Sequence, residues 1–485
     1  MHGPMGESSY TQEVTNLIKL IHSRSILNDS LYEQASLYFE QMQADSDKLK
    51  KLTSRLAQAQ SALEQANFIT DKRKLIVTAD LAQSLLYQEQ QKQKLARKQR
   101  QTHLFKVSAS LVALCEGNDQ NETQNNSAKV LGTLLLLSPH EGSKLATLHQ
   151  KLKPAYKAVL ALRLLDKLLL KNEITNTYIK QKQEISERYD NLGKDLSPFQ
   201  TDVCIPIVVA ALIQDIGLQH PAAQLILKGP EGDLDEFRVL DNDDRLALLK
   251  INYQQTLNYL THGIGLTSYT GNSREEKTRF DENERQRFQF IKTLLNDSVK
   301  PKLPEGHLLK IPQIYASVVF STKPDSNLSN LPKATLVLEK AAQMKAVESK
   351  YTDYFISIVG HFPQGYGITY IPKDKDNQDL ERYEYAIVYA LNPLDPFVPI
   401  CRTATRHLTF NSLGKRISVP ISNNLYFATT RKKFASISPE RLEEILKKLC
   451  SNFEERKNLE LIPSHWNPYT YFGYKKFQNL WKKTN

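Results

Sequence analysis

A polar pair at the end of an apolar segment is the first place in this sequence where metal chemistry could occur. Residues 210–217, AALIQDIG, run from small and aliphatic side chains into Gln214, Asp215 and Gly217. A His-Asp pair in this setting would present two ligands to a hydrolytic metal site. A neutral amide such as Gln214 binds a divalent cation weakly. The segment therefore has two interpretations, a metal site that has lost a ligand or the polar end of a core helix.

Further segments follow this pair in a recognisable order. LILKGPEGDLDEF and the helical pattern RLALLKINYQQTLNYL come next, then KPKLPEGHLLKIP at residues 300–312, and then VGHFPQGYGITYIP and AIVYALNPLDPFVPI. This order resembles the HD-GYP family of bacterial cyclic-di-GMP phosphodiesterases over about residues 160–405. The resemblance implies a helical domain in which His and Asp side chains hold a cluster of divalent iron or manganese ions that activates water.

Most positions that would carry the family's chemistry hold other residues in this chain. Asp215 is the only recognisable ligand retained, and Asp243 is a second, weaker candidate. A divalent centre needs about four to six donors. The resemblance therefore implies a vestigial site at Gln214, Asp215 and Asp243, with no catalytic residue, no metal and no cofactor. Carried over position by position, the other family residues fall on or near Leu218, Leu294, Leu295, Leu303 and Thr322.

The same polar residues also have structural interpretations. Asp215 can end its helix by bonding to nearby backbone or to a basic partner. His220 and His262 are single histidines in predicted loops, where a solvent-exposed or hydrogen-bonding role is more common than metal binding. The acidic run DNDDR, residues 241–245, lacks the spaced donors of a calcium loop and is typical of a helix start.

Two arginines near the C-terminal third suggest a nucleotide site. Arg402 and Arg406 in RTATR have the R-x-x-x-R spacing that PilZ domains use to bind cyclic-di-GMP, because two guanidinium groups can hold phosphate and base edges. The accompanying strand motif is missing, since NSLG at residues 411–414 has the wrong spacing. The arginine spacing alone therefore suggests cyclic-di-GMP as a candidate ligand of this segment.

The N-terminal region predicts paired helices. Residues 31–105 contain almost no Gly or Pro, and apolar positions recur at alternating spacings of three and four, with Asp45 in one of them. This pattern predicts a coiled coil or a helical hairpin that turns near Thr70 and Asp71, and it favours self-association or helix pairing over a specific protein partner. The stripe comprises Ala35, Tyr38, Met42, Leu49, Leu52, Leu56, Ala59, Leu63 and Ala66.

The rest of the chain changes from helical to strand-like patterning. Residues 116–129 are polar and aperiodic, which predicts a linker. After about residue 355, short Tyr-, Ile- and Val-rich segments separated by Pro, Asn and Gly predict a small sheet. Ser438 before Pro439 predicts a helix start, with the helix running to about Arg456. The aromatic tail that follows residue 461 is expected to pack back onto the body.

These patterns predict a mainly helical (α+β overall) protein with five parts. They are a helical hairpin or coiled coil at 1–115, a linker with connecting helices at 116–159, a degenerate HD-GYP-like helical domain at 160–350, a small β-rich module at 351–435, and a terminal helix with the aromatic tail at 436–485.

Composition favours a globular, cytoplasmic protein. Of 485 residues, 40% are hydrophobic and 24% are charged, and no apolar run approaches the ~20 residues that span a bilayer. The N-terminus has no basic stretch followed by an apolar core, so no secretory signal is expected. The scattered Cys115, Cys204, Cys401 and Cys450 are expected to be buried rather than paired or metal-bound.

The net charge of +11 permits nucleic acid as a partner, but the charge is spread over the chain. The basic stretch at residues 91–106, with Lys94, Arg97, Lys98 and Arg100, has no interleaved aromatics and is typical of a solvated helix face. We therefore expect a regulatory adaptor or sensor that acts through its N-terminal helices. The alternative is an active or altered metal-dependent phosphohydrolase that uses Asp215 with ligands displaced within residues 262–300.

Overall fold

The structure, a computed structural model, describes residues 5–24, 29–66, 68–189, 196–324, 326–449 and 460–482. Within these ranges the chain is mainly helical and carries a small antiparallel sheet region towards the C-terminus, which confirms the predicted fold class. The N-terminal helices are α1 (Ser9–Ile21), α2 (Leu31–Gln65), α3 (Ile69–Cys115), α4 (Gln120–Leu136), α5 (Leu145–Leu170) and α6 (Thr177–Ile185).

The central helices carry the candidate site. They are α7 (Ile205–Ile213), α8 (Pro221–Lys228), α9 (Asn242–Asn258), α10 (Arg274–Asp297), α11 (His307–Val319), α12 (Ala334–Gln343) and α13 (Ser349–Val359). A π-helical turn, Gln200–Cys204, precedes α7, and another, Tyr259–Ile264, follows α9. Short 3-10 turns at Ile216–Gln219 and Pro304–Gly306 follow α7 and precede α11.

Helices α2 and α3 form the predicted hairpin. Beyond the part of α2 that packs on the body, the residues that are shielded from solvent lie mainly along the predicted apolar stripe, and Ala59 is buried there. On the facing side of the hairpin, Ala79 and Ala82 of α3 are buried. Polar residues also join the seam: Lys48 forms an ion pair with Glu89 at 2.6 Å. The turn lies between Gln65 and Ile69, a few residues before the predicted position.

The polar segment 116–129 is not the predicted linker, because most of it belongs to α4. Asp119 caps the helix by accepting a hydrogen bond from the backbone N–H of Glu122 at 2.8 Å, and Glu122 lies in the first turn, where an acid favours the helix dipole. Thr123 and Ser127 are buried despite their polarity. Capping and tertiary contacts therefore override a sequence that has no helical periodicity.

Helix α5 is the centre of the core, as its run of leucines predicts. Residues 154–165 of this helix are all buried, and α7 and α11 pack against it. Pro206, which has no N–H to donate, stands at the start of α7, directly after the π-helical turn Gln200–Cys204. Cys115, Cys204 and Cys401 are buried free thiols, as expected, whereas Cys450 lies outside the described residues.

A buried ion cluster joins α5 to the segments around it. Arg163 on α5 and Arg188 each pair with both Glu116, at the end of α3, and Asp166. The side chains of these four residues are at most 10% exposed. Gln200 adds a longer hydrogen bond to Glu116 at 3.4 Å. Two cations balance two anions, so the cluster is an electrically neutral connection between helices.

The sheet region follows α13 and is antiparallel throughout. Strands β1 (Gly367–Tyr370), β2 (Glu384–Val388), β3 (Ile400–Thr403) and β6 (Arg416–Ser418) form a four-stranded sheet in the order β1-β2-β3-β6. A separate two-stranded ribbon pairs β4 (Thr405–Arg406) with β5 (Thr409–Phe410). The predicted small sheet is therefore present, although α13 occupies residues that were assigned to the β-rich module.

The C-terminal segments cover this sheet. They comprise α14 (Ala428–Arg431), α15 (Pro439–Leu449) and α16 (Tyr469–Phe472). Helix α15 begins at Pro439, as predicted, but its predicted end near Arg456 lies outside the described residues. The aromatic tail packs back onto the body, as expected: Trp466 stacks on Tyr385 with ring centroids 4.6 Å apart and donates to the carbonyl of Ala386 at 2.9 Å.

Replacing Glu116 by Gln is expected to lower the free energy of unfolding by about 3 kcal/mol, because both arginines lose an anionic partner inside the protein. Urea denaturation of the variant, with the exposed-residue variant Glu231→Gln as a control, measures this difference. A loss equal to that of the control would show that the cluster does not hold the helices together.

Candidate functional site

The vestigial site predicted from the sequence lies where α7 ends. Nine apolar residues of α7 are buried, and Gln214 and Asp215 follow directly before the 3-10 turn Ile216–Gln219. This turn rests on α9, where Gly217 donates its backbone N–H to Thr256 Oγ1 at 3.1 Å. A Cβ on Gly217 would lie 2.2 Å from the carbonyl oxygen of Asn252, so only glycine permits this approach.

Asp215 is bound by side chains from two other helices. Lys157 on α5, whose side chain is 1% exposed, forms an ion pair with Asp215 Oδ2. Gln313 on α11 donates from Nε2 to Asp215 Oδ1 at 3.1 Å. Both carboxylate oxygens therefore have a partner. At Oδ2, the ammonium group of Lys157 occupies the position that a metal ion would take.

Two further lysines add positive charge to the Asp215 site. Lys153 precedes Lys157 by one helical turn on α5, and Lys310 precedes Gln313 by about one turn on α11, so each lies on the same helix face as a residue that binds Asp215. The pKa of Lys153 is lowered to about 8 by burial and by Lys157, against the opposing attraction of Asp215. Burial also lowers the pKa of Lys310, and Asp215 opposes this shift.

The charge of Asp215 is retained by these neighbours. Burial raises the pKa of its carboxyl group, but Lys157, Lys153 and the hydrogen bond from Gln313 together outweigh burial and hold that pKa below its usual value. The carboxylate is thus ionised at neutral pH and is surrounded by more positive than negative charge. This environment disfavours a divalent cation through Coulomb repulsion and through the occupied oxygens.

Gln214 is almost fully buried and is held through its backbone. Its carbonyl accepts from Asn252 Nδ2 at 3.3 Å and from Thr256 Oγ1 at 3.4 Å, both on α9. Its side-chain Oε1 is buried and has no hydrogen-bond partner among the described residues. Tyr32 on α2 donates to the carbonyl of Leu212 at 3.0 Å, which joins the helical hairpin to the end of α7.

Asp243 does not join Asp215. It is exposed in the first turn of α9, after Asp241, which caps the helix by accepting from the backbone N–H of Asp244 at 2.8 Å. Asn252, which contacts Gln214, lies about 14 Å further along α9 at 1.5 Å per residue. The acidic run is therefore the helix start that its composition indicated.

The two candidate histidines have separate surroundings. His220 caps α8 by accepting from the backbone N–H of Ala222 at 3.1 Å. His262 lies in the π-helical turn after α9 and is exposed, so it is not in the predicted loop. Neither residue hydrogen-bonds to Asp215 in the described structure.

The remaining carried-over positions are structural or exposed. Leu294 and Leu295 are buried in α10, Leu303 is nearly half exposed, and Thr322 lies beyond the end of α11. The segment KPKLPEGHLLKIP contains the turn Pro304–Gly306, where Glu305 accepts from the backbone N–H groups of Thr175 and Asn176 at 2.6 Å each.

The arginine pair predicted for a nucleotide is divided between two environments. Arg402 is buried in β3 and donates to the carbonyls of Leu480, Gly414 and Lys482 at 2.9, 3.1 and 2.7 Å. Arg406 in β4 is exposed. Joint binding of cyclic-di-GMP by the two guanidinium groups stays a prediction, and Arg402 already has a structural role.

Sequence reasoning missed the residues that surround Asp215. No group of three or more His, Cys, Asp or Glu residues that could hold a metal ion occurs in the described ranges. The residues that replace such a group are Lys153, Lys157, Lys310 and Gln313. For two of them, Lys153 and Lys157, the sequence did offer a signal. They form a lysine pair spaced i,i+4 in KPAYKAVLALRLL, a segment whose other residues are typical of a buried apolar helix.

Residues Gln200–Gln219, which include α7, are long and apolar enough to cross a membrane by length and composition alone. However, 78% of the most apolar window of this stretch is buried inside the fold. Contact with α5, α3 and α10 accounts for its apolar character, as in the core helix of a folded domain.

Comparisons with protein-family models, with curated proteins and with solved structures found no match to this chain. The resemblance to the HD-GYP family stays a prediction from the order of sequence segments. What the site around Asp215 can do chemically must therefore be inferred from the residues that surround Asp215.

Replacing Lys157 by Met is expected to lower the free energy of unfolding by about 3 kcal/mol, because Asp215 would lose its cationic partner. The double variant Lys157→Met with Asp215→Asn should lose less than the sum of the two single variants, with a coupling of about 2 kcal/mol. Chemical denaturation of the four proteins gives the coupling, and Lys171→Met, at an exposed position of α5's end, is the control. Additive single effects would contradict the ion pair.

Proposed function

We propose that this chain is a catalytically inactive, HD-GYP-like protein that acts as a regulatory adaptor or sensor in signalling of the cyclic-di-GMP type. The observation that carries the proposal is the ion pair between Lys157 and Asp215. In the family that the sequence resembles, the equivalent aspartate would bind metal. Here its charge is balanced by a side chain of the protein itself.

The electrostatics of the site support a non-hydrolytic role. Hydrolysis of a phosphodiester with metal ions needs several anionic or imidazole donors, which bridge the ions and lower the pKa of a bound water. The described surroundings of Asp215 supply one carboxylate, three lysines and one amide. A divalent ion placed beside Asp215 would displace Lys157 and would then be repelled by the three ammonium groups.

The helical hairpin supports an adaptor role. Its base is built into the body, where Tyr32 and Phe39 on α2 and Val107 on α3 are buried. Its outer part is exposed and carries apolar side chains that are more than half accessible. Such residues are common at protein interfaces, so this arm offers a surface to a protein partner or to a second copy. The accessible side chains are Phe68, Val77, Leu81 and Tyr87.

The basic stretch on α3 gives less support to a nucleic-acid partner. Arg100 donates to the carbonyl of Gly263 at 2.9 Å and lies over the ring of Tyr38 at 4.8 Å. This residue is thus engaged in joining α3 to α2 and to the turn after α9. These contacts indicate that part of the basic face of α3 packs against other elements, and the rest of this face is exposed to solvent.

Purified protein is expected to contain far less than one equivalent of iron, manganese or zinc and to leave cyclic-di-GMP unhydrolysed. Elemental analysis and a turnover assay with added manganese measure both properties, and Asp215→Asn is the matched control for metal held at this carboxylate. Stoichiometric metal and hydrolysis, both lost in Asp215→Asn, would establish the alternative, a metal-dependent phosphohydrolase, and would overturn the proposal.

A further inference from the structure

A second region of positive charge lies in the C-terminal module, away from Asp215. An open cleft of about 950 Å³ is bounded by the loop between β1 and β2, the ribbon β4–β5 and the segment before β6. Its size is within the range of sites that bind small molecules, about 300–1,000 Å³. Cationic side chains from all three segments line it: Lys373, Lys375, Arg382, Arg406 and Lys415.

Most of these cations are unpaired. Arg382 forms an ion pair with Glu384 at 3.0 Å. The side chains of Lys373, Lys375, Arg406 and Lys415 form no ion pair with any residue in the described ranges. Lys373 lies opposite Asp379 across an isolated β-bridge, so that carboxylate offsets part of its charge. An excess of positive charge around one concave surface raises the local concentration of anions, because the cleft walls focus the field.

The two acidic residues that line the cleft, Asp374 and Glu384, offset only part of this positive charge. Asp374 accepts from the backbone N–H groups of Asp376 and Gln378 at 2.9 Å each, so it is used within its own turn. Glu384 is 2% exposed and accepts from Arg382 and from the backbone N–H of Leu408, both at 3.0 Å. Five cationic side chains against these two carboxylates leave the lining with a net charge of +3.

The ribbon that presents Arg406 is held in an unfavourable backbone conformation. His407 and Leu408, between β4 and β5, have φ angles of 51° and 60°, where Gly and Asn are usual and Leu is rare. The hydrogen bond from Leu408 to Glu384, and contact of Arg382 with His407 Nδ1 at 3.3 Å, hold the turn in place. Strain of this kind is concentrated at functional sites, and here it fixes Arg406 and His407 at the rim of the cleft.

We propose that this cleft binds a small ligand with two or more phosphate groups. Several phosphates match a lining with a net charge of +3 better than a single carboxylate does, and a guanidinium group with lysine ammonium groups is the common protein solution for phosphate. The shared chemistry can come from a nucleotide or from inorganic polyphosphate. The proposed site includes Arg406 but not Arg402. The proposal is independent of whether the region around Asp215 has hydrolytic activity.

Calorimetric titration of the full chain with GTP, ATP and tripolyphosphate at low ionic strength tests the proposal. We expect binding in the micromolar range that weakens as NaCl is raised. The triple variant Lys373→Glu, Arg406→Glu, Lys415→Glu should weaken binding on the order of a hundredfold or more, because three charge-assisted contacts become repulsive. A nucleotide that binds at least about tenfold tighter than tripolyphosphate identifies a base-reading site; equal affinity identifies a phosphate site.

The matched control changes the same amount of charge elsewhere. Lys51→Glu, Arg55→Glu, Lys72→Glu lies on exposed positions of the α2–α3 hairpin and should leave affinity within about threefold. The glutamine version of the cleft variant, with thermal unfolding of all proteins, separates lost binding from lost folding. No binding of any of the three probes at 1 mM (about 4 kcal/mol of binding free energy), or equal losses in cleft and control variants, would overturn the proposal.

Discussion

The ion pair between Lys157 and Asp215 is the constraint on which the interpretation of this structure depends. Taking a lysine that is 1% exposed out of water has a cost of several kcal/mol, which a close carboxylate must offset. The pair also joins α5, the centre of the core, to the end of α7, and Gln313 extends the connection to α11. The feature that most resembles an active-site remnant is therefore also a structural contact between three core helices.

Helix pairing and the small sheet could be predicted from sequence because each leaves a periodic signal. The stripe through Leu49, Leu52 and Leu56 reports which face of α2 is covered, and Ser438 with Pro439 marks a helix start. The helix α4 could not be predicted in this way. Its first turns are polar, and they are stabilised by the Asp119 cap and by burial of Thr123 and Ser127, which depend on the surrounding fold.

The position of Asp215 at a helix end could be predicted from the sequence, but the residues that contact it could not. Asp215 lies at the end of an apolar helix, as AALIQDIG indicates, and Asp243 belongs to a helix start. The partners of Asp215 come from helices about 60 residues before it and 100 residues after it, and no local pattern connects them. Likewise, the spacing of Arg402 and Arg406 suggested a joint site, but Arg402 lies buried in β3 and Arg406 lies exposed in β4.

The molecule thus contains two regions with an excess of positive charge, and they differ in how their cations are paired. At Asp215, the buried Lys157 is paired with the carboxylate, whereas Lys375, Arg406 and Lys415 in the cleft beside β4 and β5 form no ion pair within the described residues. Crystals soaked in manganese chloride and measured at the manganese absorption edge test directly whether Asp215 has lost its metal. We predict that the anomalous difference map shows no peak within bonding distance of Asp215 and that Lys157 keeps its place. A fully occupied manganese peak there, with Lys157 displaced, would contradict this conclusion.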